Sequence, residues 1–166
     1  MASHPDRSVE CYGRLIDAVR RLGYNVYLTE NDVPDSFMRR VATEKRIGIV
    51  PVDAPILMCG AVLAHARLFI SGRYHPSIFA ALGGTPCIFL ESHAHKMNSL
   101  RRVLQCETSR QFDAFPDDAE IEEIVRTAQN YLDQGETLRA SIKQVAELRC
   151  AEASSLPAFL LRHMKG

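Results

Sequence analysis

The chain has 166 residues, enough for one domain whose folding buries roughly 70% of the unfolded surface. Apolar residues make up 46% and charged residues 24%, an ordinary balance for a globular protein. Twenty basic and twenty acidic residues cancel, so there is no field of uncompensated cations of the kind that holds nucleic acid.

In chain order, Cys11, Leu15, Ile16, Val19 and Leu22 recur at helical spacing and predict a helix over 8–22, ended by Gly23. Tyr24 to Leu28 reads as a strand. Asp35 to Lys45 reads as a helix with Phe37, Met38 and Val41 inward. Ile47 to Val50 is a short, wholly apolar strand of the type buried in parallel sheets. Pro55 opens a helix to about His65. Leu68 to Ser71 is the next strand, Pro76 to Leu82 the next helix, and Gly83-Gly84 its stop. Cys87 to Leu90 is a fourth strand, followed by a helix over Lys96 to Leu104. Asp117 and Glu120 have capping-box spacing ahead of Ile121, Ile124, Val125 and Leu132, and Gly135 closes that helix. Leu138, Ile142, Val145 and Leu148 mark a long last helix up to a break at Ser154-Ser155-Leu156-Pro157.

The alternation predicts an α/β fold: a Rossmann-like parallel sheet of at least four strands with helices on both faces. That unit would span 1–116, with 117–166 a helical extension packed on it. The apolar stripe of the last helix should lie against the sheet domain or a second copy. A doubly wound fold should also place a strand before the helix at 8–22, which MASHPDRS cannot supply. The chain therefore reads as starting inside a larger architecture. No stretch approaches the roughly 20 apolar residues of a membrane span, and the N-terminus lacks the apolar core of a secretory signal. Five cysteines without a Cys-x-x-Cys pair fit a reduced, cytoplasmic protein better than a disulfide scaffold or a zinc site.

Open parallel sheets bind ligands beyond the carboxyl ends of their strands. Arg73, Tyr74 and His75 follow the third strand, and Glu91 to Lys96 follow the fourth. Right-handed crossovers should make these strands neighbours or near neighbours. Pro76 favours the first helical position, which puts His75 at the N-cap, where it is a poor cap. The free N–H groups of 77–79 and the helix dipole would then suit a phosphate or carboxylate. Taken singly, Arg73 reads as a surface ion-pair partner and Lys96 as a solvated helix start; only their clustering makes a site. Glu91-Ser92-His93-Ala94-His95 holds two histidines and a carboxylate, yet no further ligand is placed nearby, so a polar rim is expected rather than a metal. No dinucleotide or P-loop glycine pattern occurs, and no cofactor is expected.

RLFISGRYHPSIFAALGGTPCIFLESHAHKMNSLRRVL resembles the C-terminal part of the polysaccharide pyruvyl transferase family. The family pattern is a strand ending in Ser-x-Arg-(aromatic or Leu)-His, then Ile-Phe-Ala, Gly-x-Pro, an apolar strand and a Lys. Here these are Ser71, Arg73, Tyr74, His75, Ile78-Phe79-Ala80, Gly84-Thr85-Pro86 and Lys96. The likeness is good over about 65–104 and diffuse over 8–64. It implies a GT-B-like fold of two Rossmann-type halves, this chain being the second, with the active site in the cleft between them. It also implies transfer of a pyruvyl group from phosphoenolpyruvate to a sugar of a cell-surface glycan, or to a lipid-linked sugar acceptor, leaving a ketal. Ser71, Arg73, His75 and Lys96 would bind substrate, with His75 the acid–base group. A separate N-terminal half, or a second copy in a homo-oligomer, is the expected protein partner. Two other readings stay open: a nucleotide-sugar glycosyltransferase or epimerase half using Glu91 for ribose hydroxyls, and a non-catalytic anion- or sugar-binding module.

Overall fold

Strand and helix alternate through most of the chain in a computed structural model that describes residues 4–91, 94–106 and 109–163. The elements are α1 (His4–Arg20), β1 (Tyr27–Thr29), α2 (Phe37–Lys45), β2 (Gly48–Val50) and α3 (Ile56–His65). They continue with β3 (Phe69–Ser71), α4 (Tyr74–Leu82), β4 (Cys87–Leu90), α5 (Ala94–Val103), β5 (Gln111–Phe112) and α6 (Asp118–His163). A single 3-10 turn at Val33–Ser36, capped by the Asp32 carboxylate, precedes α2.

All described strand pairs are parallel, but they do not form the single sheet of at least four strands expected above. β1 pairs with β2, Leu28 opposite Ile49. Separately, β4 lies between β3 and β5, with Ile70 opposite Ile88 and Leu90 opposite Phe112. The expected neighbours β3 and β4 are thus adjacent, whereas β1 and β3 do not pair. A cavity of about 680 Å³ lies between those two strands, lined by both of them and by α1. β5 escaped the sequence reading because two residues are too few to show a period.

Side chains alternate across the three-stranded sheet, as the pleat requires. Ile88 and Leu90 join Leu15 and Ala18 of α1 and Ile121, Ile124 and Ala128 of α6 in one cluster. On the opposite face Phe69 packs with Leu63 of α3 and Ala80 of α4, and Phe89 with Met97 and Leu100 of α5. Helices therefore cover both faces of this sheet. Val9 and Ile16 of α1 pack instead with Val41, Val26 and Leu28 beside the two-stranded sheet. α1 straddles the two sheets.

The last helix breaks where expected, at Gly135 (φ 54°, ψ −131°). It does not break at 154–157. Ser154 and Ser155 donate back to the carbonyls of Cys150 and Glu152 at 2.8 and 2.7 Å, and the helix runs through Pro157. Along its apolar stripe Leu138, Ile142 and Val145 are half-buried, while Leu148 is 51% exposed.

The polar counterpart of that stripe is Arg139, which the sequence reading overlooked. Its guanidinium donates to the carbonyls of Ala66 (2.6 Å), Ala64 (3.1 Å) and Gly83 (3.0 Å). These oxygens sit at the C-terminal ends of α3 and α4, where carbonyls lack helical partners and the dipoles are negative. Gly84 (φ 78°) completes the joint, since a Cβ there would stand 2.4 Å from the Arg139 carbonyl oxygen. Charge-assisted hydrogen bonds contribute about 1.5–3 kcal/mol each. Arg139→Ala is therefore expected to lower unfolding stability by about 2–4 kcal/mol in urea titrations, and Arg139→Lys by less, because a point charge cannot serve three carbonyls.

Candidate functional site

The carboxyl ends of β1, β3 and β4 deliver Glu30-Asn31, Ser71-Gly72-Arg73 and Glu91 to one edge of the molecule. Gly72 is fixed by close approach: a Cβ there would lie 2.8 Å from the carbonyl oxygen of Glu91. The Ser71 hydroxyl accepts from the backbone N–H of Arg73 at 3.0 Å, which turns the chain out of β3 into α4. Arg73 itself is the N-cap (φ −97°, ψ 123°), with no side-chain cap bond.

The cap expected at His75 therefore lies two residues earlier. First-turn N–H groups need no helical partner, so Pro76 fits the third helical position as well as the first. Ser77 closes the opening turn, its N–H and hydroxyl both donating to the Arg73 carbonyl (3.3 and 2.8 Å). The free donors of the first turn are thus Tyr74 and His75 rather than 77–79. His75 is exposed, its ring meeting that of Tyr74 edge-on at 5.4 Å. Tyr74 in turn packs against the cluster of Phe89, Met97 and Leu100, which sets the starts of α4 and α5 side by side.

Lys96 is the third residue of α5 and is exposed, as are His95 and Glu91. Ser92 and His93 lie outside the described residues. Among those described, no group of three or more His, Cys, Asp and Glu is arranged to hold a metal ion. No helix among them is long and apolar enough to cross a membrane.

Arg73 does not project freely into solvent. Its guanidinium forms an ion pair with Asp35, whose side chain is 8% exposed against 36% for Arg73. Asp35 also accepts from the N–H of Asn31 at 3.2 Å. The pair joins the carboxyl end of β3 to the turn after β1, and both residues line the inter-sheet cavity. Tyr12 stands nearby, donating to the Ala114 carbonyl at 3.3 Å. Burial, with smaller contributions from Cys11 and Asp35, pushes its phenol up to about 12. On the far side Glu30, buried, accepts from Arg39 Nε at 3.0 and 2.9 Å. That bonding holds its carboxyl below the usual carboxylate range. Asp35, Glu30 and Tyr12 were not legible as site neighbours, because the sequence showed Asp35 only as a helix start.

The family model for polysaccharide pyruvyl transferase matches residues 10–94, just over half of the chain. It takes in Ser71, Arg73 and His75 and ends two residues before Lys96. No curated protein and no solved structure matches the chain.

Two outcomes follow from these ion pairs. Arg73→Leu should cost about 2 kcal/mol, less than the 3–5 of a fully buried pair because a third of Arg73 meets solvent. Adding Asp35→Ala should restore part of the loss by removing the lone buried charge, as a double-mutant cycle in urea would measure. For Glu30 the folded pKa is depressed. Its pairing therefore stabilises the fold above the unfolded value of about 4.3, and that contribution is lost as pH falls through the folded one. Comparing urea midpoints at successive pH values below that point should show a shallower decline in Glu30→Gln than in the parent.

Proposed function

The chain belongs to the polysaccharide pyruvyl transferase family, and we propose that it supplies the phosphoenolpyruvate-binding half of a two-half, GT-B-like pyruvyl transferase. The observation that carries this reading is the run from Ser71 to His75. It falls inside the family match, at the carboxyl end of a parallel strand, and opens a helix beside the start of α5.

Phosphoenolpyruvate carries a phosphate and a carboxylate, about three negative charges to offset with cations and helix N–H groups. Lys96 and the first-turn N–H groups of Tyr74 and His75 would supply that on one side. Arg73 would contribute the guanidinium donors that Asp35 leaves open, and Ser71 would set the turn through its bond to Arg73. In this reading His75 delivers a proton to the methylene carbon of the donor, which makes C2 electrophilic. One sugar hydroxyl adds to C2, its proton leaving to His75. Phosphate departs with the C2–O electron pair and takes the proton of the second hydroxyl as that oxygen closes the ketal. The other half of the enzyme would bring the acceptor sugar of the glycan or lipid-linked substrate.

A titration of the 166-residue chain separates this from the nucleotide-sugar alternative. Phosphoenolpyruvate is expected to bind saturably and more weakly as salt rises, and UDP not to compete. Lys96→Ala and His75→Asn should each lower affinity about tenfold, the loss of one charge-assisted contact. Because the cap is Arg73, His75→Asn should bring no gain in helix stability. UDP binding in preference, lost in Glu91→Ala, would instead favour the glycosyltransferase or epimerase reading. Unchanged phosphoenolpyruvate affinity in both variants would falsify the site.

A further inference from the structure

We infer that the outer face of α3 is a docking surface for a second copy of this chain, the two α3 helices crossing antiparallel about a two-fold axis at Ala61.

From Ala54 to Ala64 the sequence carries no charged residue. A helix that is apolar all round belongs in an interior, yet α4 and the sheet cover α3 on one side only. Leu63 is buried with Phe69 and Ala80. Gly60 and Ala64 make the close approach to α4: a Cβ on Gly60 would lie 3.1 Å from the Phe79 ring, and one on Gly83 would lie 2.5 Å from the Ala64 Cβ. At about 100° per residue the opposite face carries Leu57, Met58, Ala61, Val62 and His65. All five are exposed, Leu57 by 81%, Met58 by 49% and Val62 by 42%. Ile56 (66%) and Val52 (44%) extend this surface toward the carboxyl end of β2. The stripe of α6 is mostly half-buried by comparison. Among the described residues it is α3 that keeps an apolar face without a partner.

Area, shape and charge select a copy of the chain as the occupant. Ile56, Leu57, Met58, Val62 and Val52 leave on the order of 500 Å² exposed, at the upper end of what a monomer shows in one patch. Two such faces together reach the total of about 1,000 Å² that a specific interface requires. The smallest residue of the stripe, Ala61, stands at its midpoint, five residues from Ile56 and four from His65. A small side chain at the crossing lets two helix axes approach to about 8 Å, the close end of the usual range. Antiparallel packing about that point sets Leu57 against the partner's His65, Met58 against the partner's Val62, and Ala61 against its own counterpart. That is the self-complementarity a two-fold interface demands.

The stripe is also acidic ahead of its start and basic beyond its end, with exposed Asp53 and exposed Arg67. Arg39, the cation that acts on Asp53, is already engaged by Glu30. Arg67 meets Glu136 at 3.4 Å with both side chains mostly in water, a contact worth little. Antiparallel pairing brings each Asp53 toward the partner's Arg67, and each positive helix start beside a negative helix end. A lipid surface fits less well, since interfacial helices carry a Lys- and Arg-rich polar face and aromatic anchors, both lacking in α3. This inference does not depend on donor binding.

Sedimentation equilibrium of the 166-residue chain at micromolar concentration should approach twice 18.6 kDa. Ala61→Glu and Ala61→Lys each set like charges against each other at the axis, and each should weaken the dimer at least about hundredfold. Their equimolar mixture should recover it, because Glu meets Lys only where residue 61 faces its own counterpart. Urea midpoints of the two variants should stay near the parent's, the position being exposed. Leu57→Ser, at the most exposed point of the stripe, should be monomeric as well and serves if either charged variant fails to fold. A monomeric parent, a dimer that Ala61→Glu or Leu57→Ser leaves intact, or no recovery on mixing would overturn the inference. So would flotation of the parent with phosphatidylcholine–phosphatidylglycerol vesicles that Leu57→Ser abolishes, the mark of a lipid-binding face. Phosphoenolpyruvate titration of Ala61→Glu reports separately on the donor site and should match the parent.

Discussion

The ion pair between Asp35 and Arg73 joins two parallel ladders that, among the described residues, do not pair with each other. β1-β2 and β3-β4-β5 are separate ladders, and at their carboxyl ends this pair ties the turn after β1 to the start of α4. Asp35 is nearly buried, so its charge is held by Arg73 and the Asn31 N–H rather than by water. That arrangement determines which way Arg73 points, and hence what the first turn of α4 offers to solvent.

An arginine at an N-cap is a poor choice for helix stability, since Ser, Asp or Asn would each bond the first-turn N–H groups. The structure resolves the conflict by dividing the task. Ser71 holds the turn through the Arg73 N–H, Ser77 closes it through the Arg73 carbonyl, and the side chain is left to reach Asp35. The consequence for an anion is mixed. Asp35 neutralises part of the guanidinium, so the attraction at this edge falls more heavily on Lys96 and on the helix N-terminus. A phosphate arriving there would compete with a carboxylate already in place, which favours weak, reversible binding.

The sequence was most informative where a pattern was long or chemically restrictive. β2 to β4 are short apolar runs and were found within a residue. Gly83-Gly84 and Gly135 marked helix ends correctly, because positive φ and close packing leave few alternatives. What failed was non-local. Pro76 suggested a cap at His75, but the cap is set by Ser71 and Asp35, one of them 38 residues from Arg73. The two-sheet arrangement was hidden for the same reason: no residue in β1 or β3 records whether its free edge has a neighbour. Arg139 looked like one more exposed helical charge, since nothing local says that it will meet the ends of two other helices.

The candidate site and Arg139 act on opposite ends of the same helix. α4 begins at Arg73 with donors and a positive dipole end, and finishes at Gly83 with carbonyls that the Arg139 guanidinium satisfies. Gly83 fits directly against α3, since a Cβ there would stand 2.2 Å from the Ala64 carbonyl oxygen. Thr85 reinforces the joint, its hydroxyl donating to Leu63 at 2.8 Å. The helix is therefore clamped at the end remote from the site, by a residue outside the span that the family model matches. A nine-residue helix alone would be marginal in water. Here its orientation is imposed by β3 at one end and by α6 at the other. The C-terminal helix thereby bears on the site without reaching it: it fixes the axis along which the first-turn N–H groups of Tyr74 and His75 are presented.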